Sequence, residues 1–215
     1  MTIQFSPKGH KYHVGKREVP SVTHIVGDKL DDFLFNGAGM DMIRKAGEFG
    51  TVVHELCHFY NTNGHLPKEG EKIHDPENKV ITVDAEMLRF AKGWVNLLEH
   101  RNWIPYKSEI VVGSTRRKFA GRLDNLIKDK SRLIHLVDLK VRTSIPASVA
   151  LQTAGYKLAY EEMFREKISY RWCAQLTGVK EGYKLYPLKG LMDEYVFTCK
   201  LISLQWDISN AGKNL

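Results

Sequence analysis

The chain has 215 residues with a formal net charge of +7; 43% of the residues are hydrophobic and 27% are charged. This composition excludes a disordered or low-complexity protein, and no apolar run reaches the length of a membrane span. We expect one domain covering residues 1–215, with three reduced cysteines, in a cytoplasmic setting because the first residues lack a signal-peptide pattern.

Apolar residues at helical or alternating spacing predict the secondary structure. In chain order we expect short strands within 3–26, helices at 23–30, 38–62 and 84–100, strands at 106–113, 119–127 and 134–141, a helix at 144–165, strands at 170–178 and 183–187, and a helix at 192–210. Polar residues predict a loop at 61–78. This order indicates an α+β or mixed α/β fold, with a central mixed sheet flanked by helices.

Two carboxylates and a lysine lie on the hairpin predicted from strands 119–127 and 134–141. Alternation along the second strand puts Asp138 and Lys140 on the same face. Pairing of the strands brings Asp124 close to Asp138. Carboxylates that converge repel one another unless a cation lies between them, and oxygen ligands suit Mg²⁺ or Mn²⁺ rather than zinc. The hairpin therefore predicts a metal site.

Positive charge is concentrated around this hairpin. Ten basic and four acidic residues lie between Lys107 and Arg142, which accounts for +6 of the net +7. A solvated basic face is the commoner meaning of such a run, and a phosphate-binding surface around a metal site is the alternative. Charge alone does not choose between the two interpretations.

Short motifs along the chain resemble those of the RecB-like branch of the PD-(D/E)XK nuclease superfamily, as found in phage and recombination exonucleases. The ordered series spans residues 50 to 156. Its members are Gly50-Thr51-Val52-Val53-His54, Glu109, Gly121-Arg122-Leu123-Asp124, Asp138-Leu139-Lys140 and Gln152-Thr153-Ala154-Gly155-Tyr156.

The resemblance implies a restriction-endonuclease-like core and a deoxyribonuclease that acts in DNA recombination or repair, in the cytosol of a bacterium or a phage-infected cell. Mg²⁺ or Mn²⁺ would be the cofactor, without an iron-sulfur cluster, and DNA the partner. The implied metal ligands are His54, Asp124, Asp138 and the Leu139 backbone carbonyl. The implied catalytic residues are Asp124, Asp138, Lys140, Gln152, Tyr156 and Glu109. The residues expected to contact DNA are Arg116, Arg117, Lys118, Arg122 and Arg142.

A competing motif overlaps the first of these. His54-Glu55-Leu56-Cys57-His58 has the H-E-x-x-H pattern of zinc metalloproteases, in which two histidines one helical turn apart bind zinc and Glu55 activates water. If His54 instead faces a nuclease site, we expect Glu55 to point about 100° away from it. A catalytically inactive DNA-binding relative is a third interpretation.

Overall fold

A five-stranded sheet lies at the centre of the protein, in a computed structural model that describes residues 2–6, 9–27, 39–74, 79–141 and 144–210. The strands are β1 (Ile3–Ser6), β2 (Lys11–Val14), β3 (Arg17–Val19), β4 (Lys72–His74), β5 (Val80–Thr82), β6 (Ile104–Ser114), β7 (Phe119–Lys128), β8 (Ile134–Lys140), β9 (Ile168–Leu176) and β10 (Tyr183–Pro187). The helices are α1 (Val22–Val26), α2 (Gly39–Asn63), α3 (Ala85–Arg101), α4 (Ser148–Phe164) and α5 (Asp193–Asn210).

The central sheet has the strand order β10-β9-β8-β7-β6. Strands β6, β7 and β8 form an antiparallel meander, and β9 runs parallel to β8 after a crossover through α4. Separate small sheets are formed by β1-β2-β3 and by β4-β5. A mixed sheet with flanking helices confirms the predicted fold class.

Helices cover both faces of the sheet, and β8 shows why. Its side chains alternate between two apolar cores, so that Val137 and Leu139 pack with α2 and α3 while Leu136 packs with α1, α4 and α5. A strand buried on both faces needs apolar residues at successive positions, as β8 has. Asp138 and Lys140, at the end of β8, are therefore unusual as charged residues in a strand that is buried on both faces.

A close approach of α5 to α4 depends on Gly155. A Cβ atom at this position would lie 2.5 Å from the Phe197 ring of α5. The glycine in the fifth motif therefore has a packing role, because it admits the side chain that fixes α5 against the sheet.

The prediction of a loop at 61–78 was wrong in part. Helix α2 continues to Asn63, and β4 pairs with β5 within and just after this segment. The signal for β4 is weak because only Ile73, between two polar residues, is buried. Helix α1 ends at Val26, where Gly27 caps it with a φ of 72°, and residues 28–30 of the predicted helix lie outside the described ranges.

The fourth helix begins later than the predicted residue 144, at Ser148. The residue before a proline disfavours helical backbone angles, so Pro146 holds the start of α4 downstream. Within the described ranges, none of the helices is both long enough and apolar enough to cross a membrane.

Candidate metal centre

Three side chains from different elements converge at the side of the meander. His54 comes from α2, Glu109 from β6 and Asp124 from β7, and one potential ligand atom from each lies within 4.8 Å of the others. His54 Nδ1 is 3.7 Å from Asp124 Oδ2 and 4.0 Å from Glu109 Oε1. The carboxylates are mostly buried, at 12% exposure for Glu109 and 13% for Asp124. A nitrogen and oxygens placed this closely form a candidate cation site.

Glu109 owes its direction to an unusual backbone conformation. Its φ is 51°, in the left-handed region, although β6 pairs regularly with β7 at Ser108 and Ile110 on either side. Such a conformation costs a non-glycine residue energy and persists where surrounding contacts hold it. Here the carboxylate Oε2 accepts a hydrogen-bond-length contact from Arg122 Nε at 3.0 Å. Arg122 therefore holds the Glu109 carboxylate in the cluster.

The backbone of β8 orients the carboxylate of Asp124. The Leu139 N–H donates to Asp124 Oδ2 at 2.7 Å, which ties β7 to the strand that carries Asp138 and Lys140. A hydrogen bond also joins the His54 ring to the Leu139 backbone. The Leu139 main chain thus faces the site.

Asp138 and Lys140 form an ion pair beside the cluster. Lys140 Nζ lies 2.6 Å from Asp138 Oδ2, and Asp138 is only 1% exposed. Its other oxygen, Oδ1, has no hydrogen-bond partner among the described residues. The converging set among these residues contains Glu109 rather than Asp138, so the structure puts Asp138 beside the cluster and not within it.

The electrostatics of the site are those of crowded, buried acids. Burial, followed by the charge of Asp124, raises the pKa of Glu109 to about 8. Burial likewise raises the pKa of Asp138 to about 6, against the opposing effect of Lys140, and also raises the pKa of Asp124. Burial and the charge of Lys140 lower the pKa of His54 to about 4, so its ring is neutral and able to bind a metal.

Lys140 keeps its proton in this setting. Burial by itself lowers the pKa of the Lys140 ammonium, but the charges of Asp138 and Asp124 outweigh that effect and raise it above its ordinary value. Nearby negative charges favour the charged form of an ammonium group. Lys140 therefore supplies positive charge to the site.

A pocket of about 360 Å³ opens onto the cluster. Its wall includes residues from α4 and the N-terminal sheet as well as the cluster. The lining residues that belong to the sequence motifs are Thr51, His54, Glu55, Glu109, Gly121, Arg122, Asp124, Lys140, Gln152 and Tyr156. Gln152 Nε2 donates to the Tyr156 hydroxyl at 3.2 Å, so the fifth motif forms one wall. His10 and Tyr12, which sequence patterns did not indicate, form part of another.

Gly121 is required by the close packing of this wall. A Cβ atom at Gly121 would lie 2.7 Å from Tyr156 Cε1 and 3.1 Å from Val22 Cγ2. The 2.7 Å contact is too short for a Cβ atom, so the Tyr156 ring or the backbone would have to move. The absence of a side chain at Gly121 therefore makes room for Tyr156.

The two histidines of the H-E-x-x-H motif have different surroundings. His58 Nδ1 shares a 2.6 Å hydrogen bond with Ser108 Oγ, and His58 is not part of the converging set among the described residues. Glu55 lines the pocket, so the expectation that it points away from the site was wrong. Thr51, His54 and Glu55 all line the pocket, so α2 borders it along more than one narrow stripe of its surface.

Helix α2 is docked by a second polar contact one turn further on. Asn61 Nδ2 donates to Asn125 Oδ1 at 2.6 Å, and Asn61 Oδ1 accepts from Trp94 Nε1 at 2.9 Å. Ser108 and Asn125 are direct partners across β6 and β7. Both contacts therefore hold α2 against one rung of the meander, next to the residues that His54 approaches.

The predicted DNA-contacting residues are dispersed. Arg122 lies in the pocket, while Arg116 is exposed in the turn between β6 and β7. Arg117 is committed to Glu162 at 3.2 Å, and Lys118 takes a left-handed turn conformation with a φ of 59°. Arg142 lies outside the described ranges. The structure thus separates Arg122, which faces the cluster, from the turn residues.

Comparisons with known proteins add no support for a function of this chain. Neither a protein-family model nor a curated protein sequence matches this chain. A solved structure described as "Crystal structure of SSO0001" shares 15% sequence identity at a TM-score of 0.37. The match covers 55% of this chain, and it spans 58% of that protein. A similarity at this level carries no argument about fold or function.

Proposed function

We propose that this chain is a Mg²⁺- or Mn²⁺-dependent deoxyribonuclease that hydrolyses phosphodiester bonds, of the exonuclease type found in phages or in DNA recombination and repair. The observation that carries the proposal is the convergence of His54, Glu109 and Asp124 beside a buried Asp138–Lys140 pair. These residues belong to four of the motifs on which the resemblance to RecB-like nucleases rests. DNA is the proposed partner, and the cytoplasm the proposed location.

The residues present fit a hard divalent cation. The two carboxylates of the set suit Mg²⁺ or Mn²⁺, and the set contains no cysteine. The buried Oδ1 of Asp138, which has no hydrogen-bond partner among the described residues, is an acceptor that a cation or its bound water would satisfy. We propose that His54, Glu109 and Asp124 hold the ion, with Asp138 and the Leu139 carbonyl, which lie beside this cluster, as its further ligands. Such an ion lowers the pKa of a bound water and offsets negative charge on a phosphate.

The chain's own cations complete the site. The Lys140 ammonium, which lines the pocket and keeps its proton, is positioned to orient the attacking water and to stabilise charge that develops on the phosphate. Arg122, held by Glu109, adds a second positive charge. Gln152 and Tyr156 line the pocket and offer neutral polar groups for the nucleotide.

Two other functions fit the site less well. A zinc protease needs both histidines of the motif on one ion, whereas His58 is bonded to Ser108. An inactive DNA-binding relative would have no need for a cluster of buried acids, whose charges destabilise one another without a cation. In the proposed nuclease, the buried acids bind the cation and the His58–Ser108 bond holds the helix that carries His54.

The test is a cleavage assay on end-labelled single- and double-stranded DNA with Mg²⁺, Mn²⁺, Zn²⁺ or EDTA, beside a peptide-hydrolysis assay. We expect DNA cleavage with Mg²⁺ or Mn²⁺ and none with EDTA. Peptide hydrolysis that requires stoichiometric zinc, with no DNA cleavage, would overturn the proposal. DNA binding without cleavage under every metal would favour the inactive relative.

A further inference from the structure

Three aromatic rings near the N-terminus pack against one another beside the pocket. Phe5 lies on β1, Tyr12 on β2 and His10 in the turn between them, and we call these residues the aromatic triad. The ring centroids of Phe5 and Tyr12 are 4.9 Å apart, and His10 lies 5.1 Å from Phe5 and 5.4 Å from Tyr12. His10 and Tyr12 line the pocket that opens onto the metal cluster. The triad therefore brings polar groups to a wall that the sequence motifs do not include.

Main-chain contacts hold this part of the chain against β7, close to Arg122. The Ala120 N–H donates to the Pro20 carbonyl at 3.1 Å, and Ser21 and Ala120 form a parallel β-bridge. Two residues further along β7, the guanidinium carbon of Arg122 lies 5.7 Å from the centre of the Phe5 ring. A cation over the face of an aromatic ring at this distance is attracted to the ring. The triad is therefore in contact with Arg122.

Arg122 connects the triad to the metal cluster. Its Nε lies 3.0 Å from Glu109 Oε2, and its side chain lines the pocket. The other N–H donors of a guanidinium group are on its two terminal nitrogens, in a planar fork that matches a pair of phosphate oxygens. Because contacts with Glu109 and Phe5 restrain the side chain, less conformational freedom is lost when the fork binds an anion.

The Tyr12 hydroxyl adds a neutral donor to the same wall. Tyr12 is 2% exposed, and its hydroxyl oxygen lies 3.2 Å from His10 Nε2. Burial, opposed by the charge of Arg122, raises the pKa of Tyr12 to about 12, so the phenol keeps its proton. In the tautomer that carries its proton on Nε2, His10 donates to the Tyr12 oxygen. The phenol proton is then available to a ligand in the pocket.

We propose that the aromatic triad and Arg122 form a phosphate-binding subsite, which holds the DNA strand beside the metal cluster through Arg122 and the Tyr12 hydroxyl. The inference rests on the proposed function, because it assigns the group of the substrate that this wall binds. A phosphate suits these donors, since Arg122 supplies positive charge with a fork of N–H groups and Tyr12 supplies a neutral hydroxyl. Contacts to phosphate position a strand without reading its sequence.

Tyr12→Phe and His10→Ala test the subsite. Tyr12→Phe keeps the ring and removes the hydroxyl, and His10→Ala removes the imidazole that orients this hydroxyl. We expect Tyr12→Phe to weaken binding of a fluorescent single-stranded oligonucleotide in EDTA roughly 10-fold, because a hydrogen bond to a charged group is lost. KM for cleavage with Mn²⁺ should rise by a similar factor, with kcat within about twofold of the wild type. His10→Ala should act in the same direction.

Tyr183→Phe is the matched control. The Tyr183 hydroxyl lies 3.0 Å from His100 Nδ1, so β10 and α3 also form a tyrosine–histidine pair, and neither of its members lines the pocket. Loss of this hydroxyl should leave both oligonucleotide affinity and KM unchanged. A triad that serves only for packing would make Tyr12→Phe behave like this control.

The oligonucleotide is measured with a 5′-hydroxyl and with a 5′-phosphate. A wild-type preference for the 5′-phosphate that Tyr12→Phe abolishes would support a subsite for a terminal phosphate, and an equal loss with both forms would support a subsite for an internal phosphodiester. Wild-type affinity in both triad variants, or a fall in kcat with unchanged affinity, would overturn the subsite even if the wild type cleaves DNA. Binding that Tyr12→Phe weakens, without cleavage under any metal, would contradict the proposed function alone. A wild type that binds no DNA would overturn both.

Discussion

His58 Nδ1 lies 2.6 Å from Ser108 Oγ, and this bond joins α2 to β6 at the residue next to Glu109. One turn earlier on the same helix, His54 approaches Glu109 and Asp124. The second histidine of the H-E-x-x-H pattern thus holds the helix that positions the first. A motif that suggests a zinc ligand has a different explanation in the fold.

Replacing His58 tests whether its bond to Ser108 positions His54 at the site. His58→Asn keeps a polar atom near the place of Nδ1, whereas His58→Leu leaves the Ser108 hydroxyl without its partner. We expect His58→Leu to reduce cleavage by roughly 10- to 100-fold through displacement of His54, while the Asn variant recovers most of the activity. Cleavage rate and Mn²⁺ affinity measured for both variants check this. Equal loss in the two variants, with unchanged Mn²⁺ affinity, would contradict a positioning role.

The stability of the metal-free protein should fall as the pH rises. Burial raises the pKa of Asp138 to about 6 and that of Glu109 to about 8, above the ~4 of unfolded carboxyls. An acid with a raised folded pKa stabilises the fold below its unfolded pKa, and this contribution is lost as pH rises through the folded pKa. The loss of stability therefore extends from about pH 4 to about pH 8.

Melting temperatures in EDTA and in Mg²⁺ at pH 5.5 and 8 measure this effect. The Mg²⁺-induced increase should be larger at pH 8, where the carboxyls are ionised and bind the cation. A Mg²⁺ effect that is equal at the two pH values would show that the cluster's carboxyls do not bind the ion.

The meander and its carboxylates were predictable from sequence, and the resemblance implied each residue of the cluster, but the contacts that bring the cluster together were not predictable. Alternation places Asp138 and Lys140 on one face of β8, and strand pairing brings Asp124 to them. By contrast, nothing in the sequence indicates the left-handed φ of Glu109, because glutamate within a strand ordinarily has an extended backbone. The His58–Ser108 bond likewise depends on residues fifty positions apart. Local periodicity describes elements, and only tertiary packing decides which side chains meet.

Two motif glycines should respond differently to alanine. A Cβ at Gly121 meets Tyr156 at 2.7 Å, whereas a Cβ at Gly50 in α2 has no atom of the described residues within 4 Å. Gly121→Ala should cost about 1–3 kcal/mol of stability and lower cleavage by moving Tyr156. Gly50→Ala should be neutral or stabilising by up to about 1 kcal/mol. Denaturant unfolding and cleavage rates check both variants, and unchanged activity in Gly121→Ala would remove Tyr156 from the site.

Salt dependence distinguishes a phosphate-binding turn from a solvated one. Arg116 is exposed, so Arg116→Ala should shallow the slope of log affinity against log salt by about 1 if it contacts a phosphate. Arg117→Ala should instead lower stability, because Arg117 is paired with Glu162. Lys184→Ala, on the edge strand β10, is the control with an unchanged slope. If Arg116→Ala also leaves the slope unchanged, the turn is a solvated face.

Metal-dependent cleavage by Asp124→Asn tests the central claim most directly. The control is Asp84→Asn, because Asp84 is an exposed helix N-cap that accepts from the Met87 N–H and asparagine caps equally well. We predict that the wild type and Asp84→Asn cleave DNA with Mg²⁺ or Mn²⁺, and that Asp124→Asn still binds DNA but cleaves at least about 10²-fold more slowly. Cleavage by Asp124→Asn at the wild-type rate, or wild-type cleavage that persists in EDTA, would contradict the account.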